Sequence, residues 1–292
     1  MNTDGSRARP RVRTVFGRLM SNRSAVAAAV VLLLIVVPCA AAPLFAPYNP
    51  VAQPSIIAGK DLPPSLAHPF GTDPASRDIL SRVLYGGRVS LAVALIATLV
   101  SITLGTAYGA VAGFAGGKID SVMMRLLDAL LSIPRLLLLI AIFAAWRQLE
   151  LSRFVVIVGF TGWYGLSRVV RGQVLATRSK DFVISARALG AGRARILLRH
   201  ILPNVLSPVI VAAALGVGHV ILLEAGLSYL GVGVRVPQPS WGNIIQDGSD
   251  QIVHLWWISF FPGLAIVVTV MAFNMLGDAL RSALDPRQTV PG

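Results

Sequence analysis

The side chains able to do acid–base, nucleophilic or metal chemistry are few and scattered. His68, His200, His219 and His254 show no ligand spacing, and the lone Cys39 lies inside an apolar run, so neither a Cys/His metal site nor a disulfide framework is written into the chain. The apolar stretches hold no paired carboxylates and no Ser/His/Asp spacing of the kind a hydrolase needs. Gly116-Gly117-Lys118 invites comparison with a phosphate-binding loop, but the glycine required five residues before Gly117 is Ala112, and Ile119 stands where Ser or Thr is needed. The chain therefore carries no Walker A loop. No catalytic residue, no metal site and no cofactor of its own is expected.

Three charged residues lie in or beside apolar runs. Arg135 follows Pro134 about ten residues after Arg125, and a basic side chain in mid-membrane costs about 2.5–3.5 kcal/mol on insertion scales. It either faces a water-filled path or pairs with an acid such as Asp128. Glu224 stands at the expected end of an apolar helix, where it either makes a helix-end hydrogen bond or serves gating or contact with a substrate amine.

The largest polar interruption is residues 178–204, a basic stretch between apolar runs. Ser179 can cap a short helix over 180–189, with Asp181 in its first turn and Gly190 ending it in the left-handed conformation. A second short helix is expected from about Arg193 to Leu202, stopping before Pro203. The result is a knob with Lys180, Arg187, Arg193, Arg195 and Arg199 set against one acid, Asp181. Read from composition alone, it is either a solvated connector or a docking surface.

The elements that position this knob are membrane spans. At 55% hydrophobic, 13% charged and mean hydropathy +0.71, the 292-residue chain is too apolar for a soluble domain. The net charge of +13 does not point to nucleic acid, because no aromatic residues are interleaved with the basic ones. Instead the basic residues mark off apolar runs.

In chain order, residues 1–24 form a basic tail with a short amphipathic helix near 15–20 suited to anionic lipid. The first span covers 25–46, with a cleaved signal peptide ending near Ala40-Ala41-Ala42 as the rival reading. An outer segment over 47–87 follows, with an amphipathic helix beginning near Arg77 that uses Ile79, Leu80, Val83 and Leu84 as its apolar side.

A core of five further spans is expected over 88–280. The second span, about 89–112, carries Gly105, Gly109 and Gly113 in two overlapping GxxxG units, a helix-packing device. The third covers 122–146 with a kink at Pro134, and the fourth lies between Arg153 and Arg168. The fifth runs over 205–223, an outer loop spans 224–254, and the sixth covers 255–276, leading to a tail over 281–292. With both termini inside, 18 of the 26 Lys and Arg residues fall on the inner side and 7 on the outer, with Arg135 between.

Ala186-Arg187-Ala188-Leu189-Gly190, followed by Arg199-His200-Ile201-Leu202-Pro203-Asn204, resembles the "EAA" loop of permease subunits in ATP-binding-cassette importers. The family's leading Glu-Ala falls on Ile184-Ser185 here. His68-Pro69-Phe70-Gly71-Thr72-Asp73, the stretch beginning Arg77-Asp78-Ile79, Glu224 to Val234, Pro237 to Gly242 and Asn274 to Arg287 are similar to the dipeptide/oligopeptide branch, C-type subunit.

The resemblance implies an all-helical type I importer permease of six spans, multi-pass in the cell membrane. It implies docking of the coupling loop to a separate ATPase through Phe182, Ala186, Leu189 and Gly190, with Arg187 and Arg193 at the rim. The implied partners are a homologous second permease, cytoplasmic ATP-binding subunits that hold ATP and Mg, an external substrate-binding protein, and a peptide substrate. Nickel, glutathione or haem importers within the class, and an ion-coupled transporter working alone, are the competing readings; the latter would call for broken helices repeated in two halves.

Overall fold

The computed structural model describes residues 12–54, 59–146 and 150–284. Arg7, Arg9 and Arg11 of the basic tail and the Asp285-Pro286-Arg287 stretch lie outside the described residues.

Helix α1, Val12–Ser21, occupies the place of the expected amphipathic helix, and Arg18 Nη1 donates to Ala283 O at the far end of the chain (3.4 Å). Asn22 then caps α2, Arg23–Ala40, its side chain accepting from Ser24 N at 3.0 Å. The expected run over 25–46 is broken at Ala41, and a short α3 follows, Ala42–Phe45. Pro43 explains the break: in a continuous helix its missing N–H would leave Cys39 O unpaired, and its ring would collide with that carbonyl.

Helix α4 runs unbroken over Ile79–Ala115, about 55 Å at 1.5 Å per residue. This corrects the expected separate surface helix beginning near Arg77. No proline interrupts the run, and Gly86-Gly87 does not break it because both are packed sites. A Cβ on Gly87 would lie 2.4 Å from Cys39 Sγ, and one on Gly86 3.1 Å from the Ser240 backbone. Ile79 and Val83 are buried as the periodicity requires, but Ser81 and Arg82 are buried too, so the helix start is enclosed by protein rather than lying on lipid.

The third apolar run divides into α5, Gly117–Leu131, and α6, Arg135–Ala145, bent by 70° around Pro134. The expected fourth span also divides, into α7, Leu151–Phe160, and α8, Tyr164–Arg178. At 10 and 15 residues these reach about 15 and 22 Å, short of a core about 30 Å thick. After the short α9, Asp181–Ala188, helix α10 covers Arg193–Tyr229, then α11, Trp241–Gly248, and α12, Trp256–Leu284.

Among the described residues four helices are long and apolar enough to cross a membrane, α2, α4, α10 and α12, and five if the bent α5–α6 pair counts as one. The chain is an all-helical, multi-pass membrane protein.

Around α4 the other elements assemble, with α8 and α10 along it; α10 packs on α12, which packs on α2. One end of the bundle carries the starts of α4 and α12 with α11. The opposite end carries α9, the end of α8 and the start of α10. Gly105, Gly109 and Gly113 all meet α8: a Cβ at Gly109 would lie 2.3 Å from Ser167 O, and one at Gly113 2.8 Å from Arg171 O. Gly109→Ala is therefore expected to destabilise the chain by about 1–3 kcal/mol in detergent unfolding. Gly172→Ala, whose Cβ meets nothing within 4 Å, should leave stability unchanged or slightly raised.

Candidate functional site

The knob is built from a short helix with a defined stop. Lys180, not Ser179, occupies the N-cap position of α9, because Ser179 Oγ is turned back to donate to Ala176 O. At the other end Ala191 N donates to Ala186 O and Gly190 N to Arg187 O, both at 3.0 Å. This is the paired bonding of a Schellman stop, and it places Gly190 at φ +80.

Val183 anchors the helix. It is fully buried with Val170 and Val174 of α8 and Ile196 and Ile201 of α10. The faces turned away from that cluster leave Phe182 41%, Ile184 54% and Leu189 88% exposed. Arg187, Gly190 and Arg193 are also exposed, and Ala186 is half-buried. A basic surface with exposed large apolar side chains at its centre suits protein docking rather than solvation.

The expected helix end before Pro203 is not found. Residues Ile196–Ile201 form a widened π turn, and α10 continues through Pro203 to Tyr229. The wider turn accommodates a proline that lacks an N–H for Arg199 O, while Asn204 Nδ2 donates to His200 O at 2.7 Å. The second half of the knob thereby runs on into a membrane-crossing helix.

The three charged residues singled out in the apolar runs are not brought together. Asp128 is exposed and pairs with Arg168, so it is not the partner of Arg135. Arg135 starts α6 and donates to the end of α7, through Nη2 to Val158 O at 2.8 Å and Nε to Thr161 Oγ1 at 3.4 Å. It lines a cavity of about 100 Å³ with Thr98, Ser101, Gly162 and His219. Buried Thr98 Oγ1, on its wall, has no hydrogen-bond partner in the protein.

Glu224 lies five residues inside the end of α10 rather than at a boundary, and it is completely buried. Its two oxygens accept from Ser90 Oγ of α4 at 2.7 Å and from Ser228 Oγ at 2.6 Å. The same hydroxyls accept from Trp241 N at 3.3 Å and Val234 N at 3.0 Å. Glu224 thus fastens α4, α10 and the 230–241 loop together. Glu224→Ala is expected to lower stability by about 2–3 kcal/mol, with Glu224→Gln milder, in detergent unfolding.

At the end of the bundle opposite the knob is a cluster that sequence reading missed. Asp73, fully buried, accepts from Ala75 N, Arg77 N (both 2.9 Å), Arg77 Nε (2.6 Å) and Arg82 Nη1. Arg77 and Arg82 both reach Asp247 Oδ2, at 2.8 Å each. Trp257 Nε1 donates to Thr72 O at 3.0 Å, and Gly71, at φ +76, lies against the same indole, where a Cβ would come within 2.7 Å. His68 bonds the N-cap residue Asp78 at 2.9 Å. The segment around residues 61–78 is therefore clamped onto α4, α11 and α12.

Among the described residues no three His, Cys, Asp or Glu side chains converge on a metal-sized site.

Residues 105–290 match the family described as binding-protein-dependent transport system inner membrane component, and residues 11–64 match the N-terminal transmembrane domain of oligopeptide transport permease C. The chain is 40% identical over 271 residues to the dipeptide transport system permease protein DppC of Bacillus subtilis, covering 92% of this chain and 84% of that one. It is 42% identical over 272 residues to the oligopeptide transport system permease protein OppC of Escherichia coli, covering 92% and 89%. Against OppC of Haemophilus influenzae it is 43% identical over 220 residues, covering 75% and 70%.

Proposed function

The chain belongs to the family of binding-protein-dependent transport system inner membrane components, and from that premise we propose that it is the C-type permease subunit of an ATP-driven dipeptide or oligopeptide importer. In this reading six spans cross the cell membrane: α2, α4, the bent α5–α6 pair, the broken α7–α8 pair, α10 and α12. Both termini and the knob then lie in the cytoplasm, consistent with the excess of Lys and Arg on that side.

The observation that carries the reading is the packing of an exposed short helix, α9, against the start of a long span. Phe182 and Leu189 offer apolar contacts to a partner, Val183 fixes α9 to the cluster shared with α8 and α10, and α10 runs from the knob to the opposite end. ATP and Mg are held by cytoplasmic ATP-binding subunits. Closure of those subunits moves the knob, and the knob, through the contacts of Val183, moves α10 against α4.

A homologous permease supplies the other half of the path, and an external substrate-binding protein delivers the peptide. Arg135 and the cavity beside it belong to the path side of the bundle, while Asp128 and Glu224 act through Arg168 and the two serines rather than on cargo.

Affinity purification from native membranes in mild detergent tests this directly. The expected result is co-recovery of a second permease and an ATP-binding chain whose hydrolysis responds to peptide delivered by the binding protein. Recovery of this chain alone, transporting in liposomes without ATP, would overturn the reading in favour of an ion-coupled carrier.

A further inference from the structure

Two cavities adjoin where the knob meets the bundle. The first, about 500 Å³, lies between the end of α4 and the knob, and it is lined by Arg178, Arg187 and Arg193 with Phe114, Ala115 and Ile196 among its walls. The second, about 460 Å³, continues along the same two helices, with Ala107 and Val111 on α4 facing Leu198, Leu202 and Leu206 on α10. The lining of the second is almost wholly apolar. Phe114 and Ala115 lie about one turn beyond Ala110 and Val111, and Ile196 directly precedes Leu197, so the two cavities lie on successive turns of the same two helices.

Among the described residues none of the three guanidinium groups of the cleft forms a direct ion pair with a carboxylate. Arg178 Nη1 donates to Gly113 O at 3.0 Å, which fixes its position, and its charge also acts at longer range on Asp120. The nearby acid, Asp120, has both oxygens taken up by Arg171, at 2.5 and 2.6 Å. Three arginines lining one cavity without a direct carboxylate contact, beside a groove of hydrocarbon, have the chemical form that suits an anionic phospholipid: a phosphate for the arginines and an acyl chain for the groove.

We infer that this composite cleft binds one anionic phospholipid, its phosphate held by Arg178, Arg187 and Arg193 and one acyl chain lying between α4 and α10. The inference needs only that the long apolar helices lie in a bilayer, and it stands whatever the cargo. Because Arg187 and Arg193 belong to the knob, the lipid would join the knob to the end of α4 and make its position sensitive to the charge of the inner leaflet. Guanidinium rather than ammonium suits the role, since its planar fork can pair two phosphate oxygens at once.

The test is native mass spectrometry of the purified full chain, with whatever partners it retains, after equilibration with mixed phosphatidylcholine and phosphatidylglycerol vesicles. Phosphatidylglycerol is expected to be retained in preference to phosphatidylcholine at one copy per chain. Arg187→Gln and Arg193→Gln, both at exposed positions, should each lower that retention about fivefold. Ala107→Trp, at an exposed groove position, should lower phosphatidylglycerol retention without changing the binding of water-soluble glycerol phosphate.

Equal displacement by inorganic phosphate, or no effect of Ala107→Trp, would overturn the lipid in favour of a free anion. Capture of another subunit by a photo-cross-linker at position 107, with no lipid adduct, would overturn it in favour of a subunit interface. Neither outcome bears on whether the chain serves a peptide importer, which co-purification decides separately.

Discussion

Asp73→Ala is expected to destabilise the chain by about 3–5 kcal/mol, a loss in the range measured when one partner is removed from a buried ion pair. Asp73 is fully buried and receives four donors, two backbone N–H groups and two guanidinium groups. Alanine would orphan Ala75 N and Arg77 N and leave Arg82, only 2% exposed, with Asp247 as its one carboxylate. Thermal unfolding in detergent reads the loss, and protease sensitivity of the 59–78 segment locates it. Arg82→Lys separates charge from geometry. An ammonium preserves the charge but cannot bridge Asp73 and Asp247 as the guanidinium fork does, so an intermediate loss is expected. Equal stability of Asp73→Ala and the parent would show that this cluster does not hold the segment to the bundle.

The clamp also marks the boundary of what the sequence made legible. Local signals translated well: Gly190 stands at a helix stop in the left-handed region, Pro134 lies at a bend, and the glycines at 105, 109 and 113 lie against a neighbouring helix. Each of those depends on backbone sterics within a few residues. The clamp depends on Arg77 meeting Asp247, 170 positions away, and Glu224 on Ser90, 134 positions away. No periodicity or spacing encodes such pairs.

Two errors share another cause. The helix end expected before Pro203 rests on proline's preference against helix interiors, and the surface helix expected apart from the second span rests on the polar residues that precede the apolar run; in both places tertiary structure prevails. A π turn admits the proline, and close packing against Cys39 and Trp241 makes use of Gly87. Val183 was missed as the anchor of α9 for a related reason. An eight-residue helix with large apolar residues at 182, 183 and 184, and Leu189 just past its end, does not reveal which face is buried until α8 and α10 are in place.

Gly190→Val is expected to separate ATP hydrolysis from uptake, with transport falling about tenfold or more while hydrolysis by the associated ATP-binding subunits persists. Gly190 holds φ +80, and a β-branched residue in that region costs about 1–2 kcal/mol, comparable with the tenfold effect sought. A Cβ there would meet nothing within 4 Å, so the substitution acts through conformation and not through a clash. Losing the left-handed turn would break the bonds from Gly190 N to Arg187 O and from Ala191 N to Ala186 O, fraying the end of α9 that presents Leu189. The anchor at Val183 would remain, so the bundle should fold and reach the membrane. Gly190→Asn is the informative companion, because asparagine tolerates the left-handed region and should retain most uptake. A graded loss from Gly through Asn and Ala to Val, read as peptide uptake per ATP hydrolysed in proteoliposomes, would tie transport to the stop of this one helix. Normal uptake in Gly190→Val would remove α9 from the coupling path.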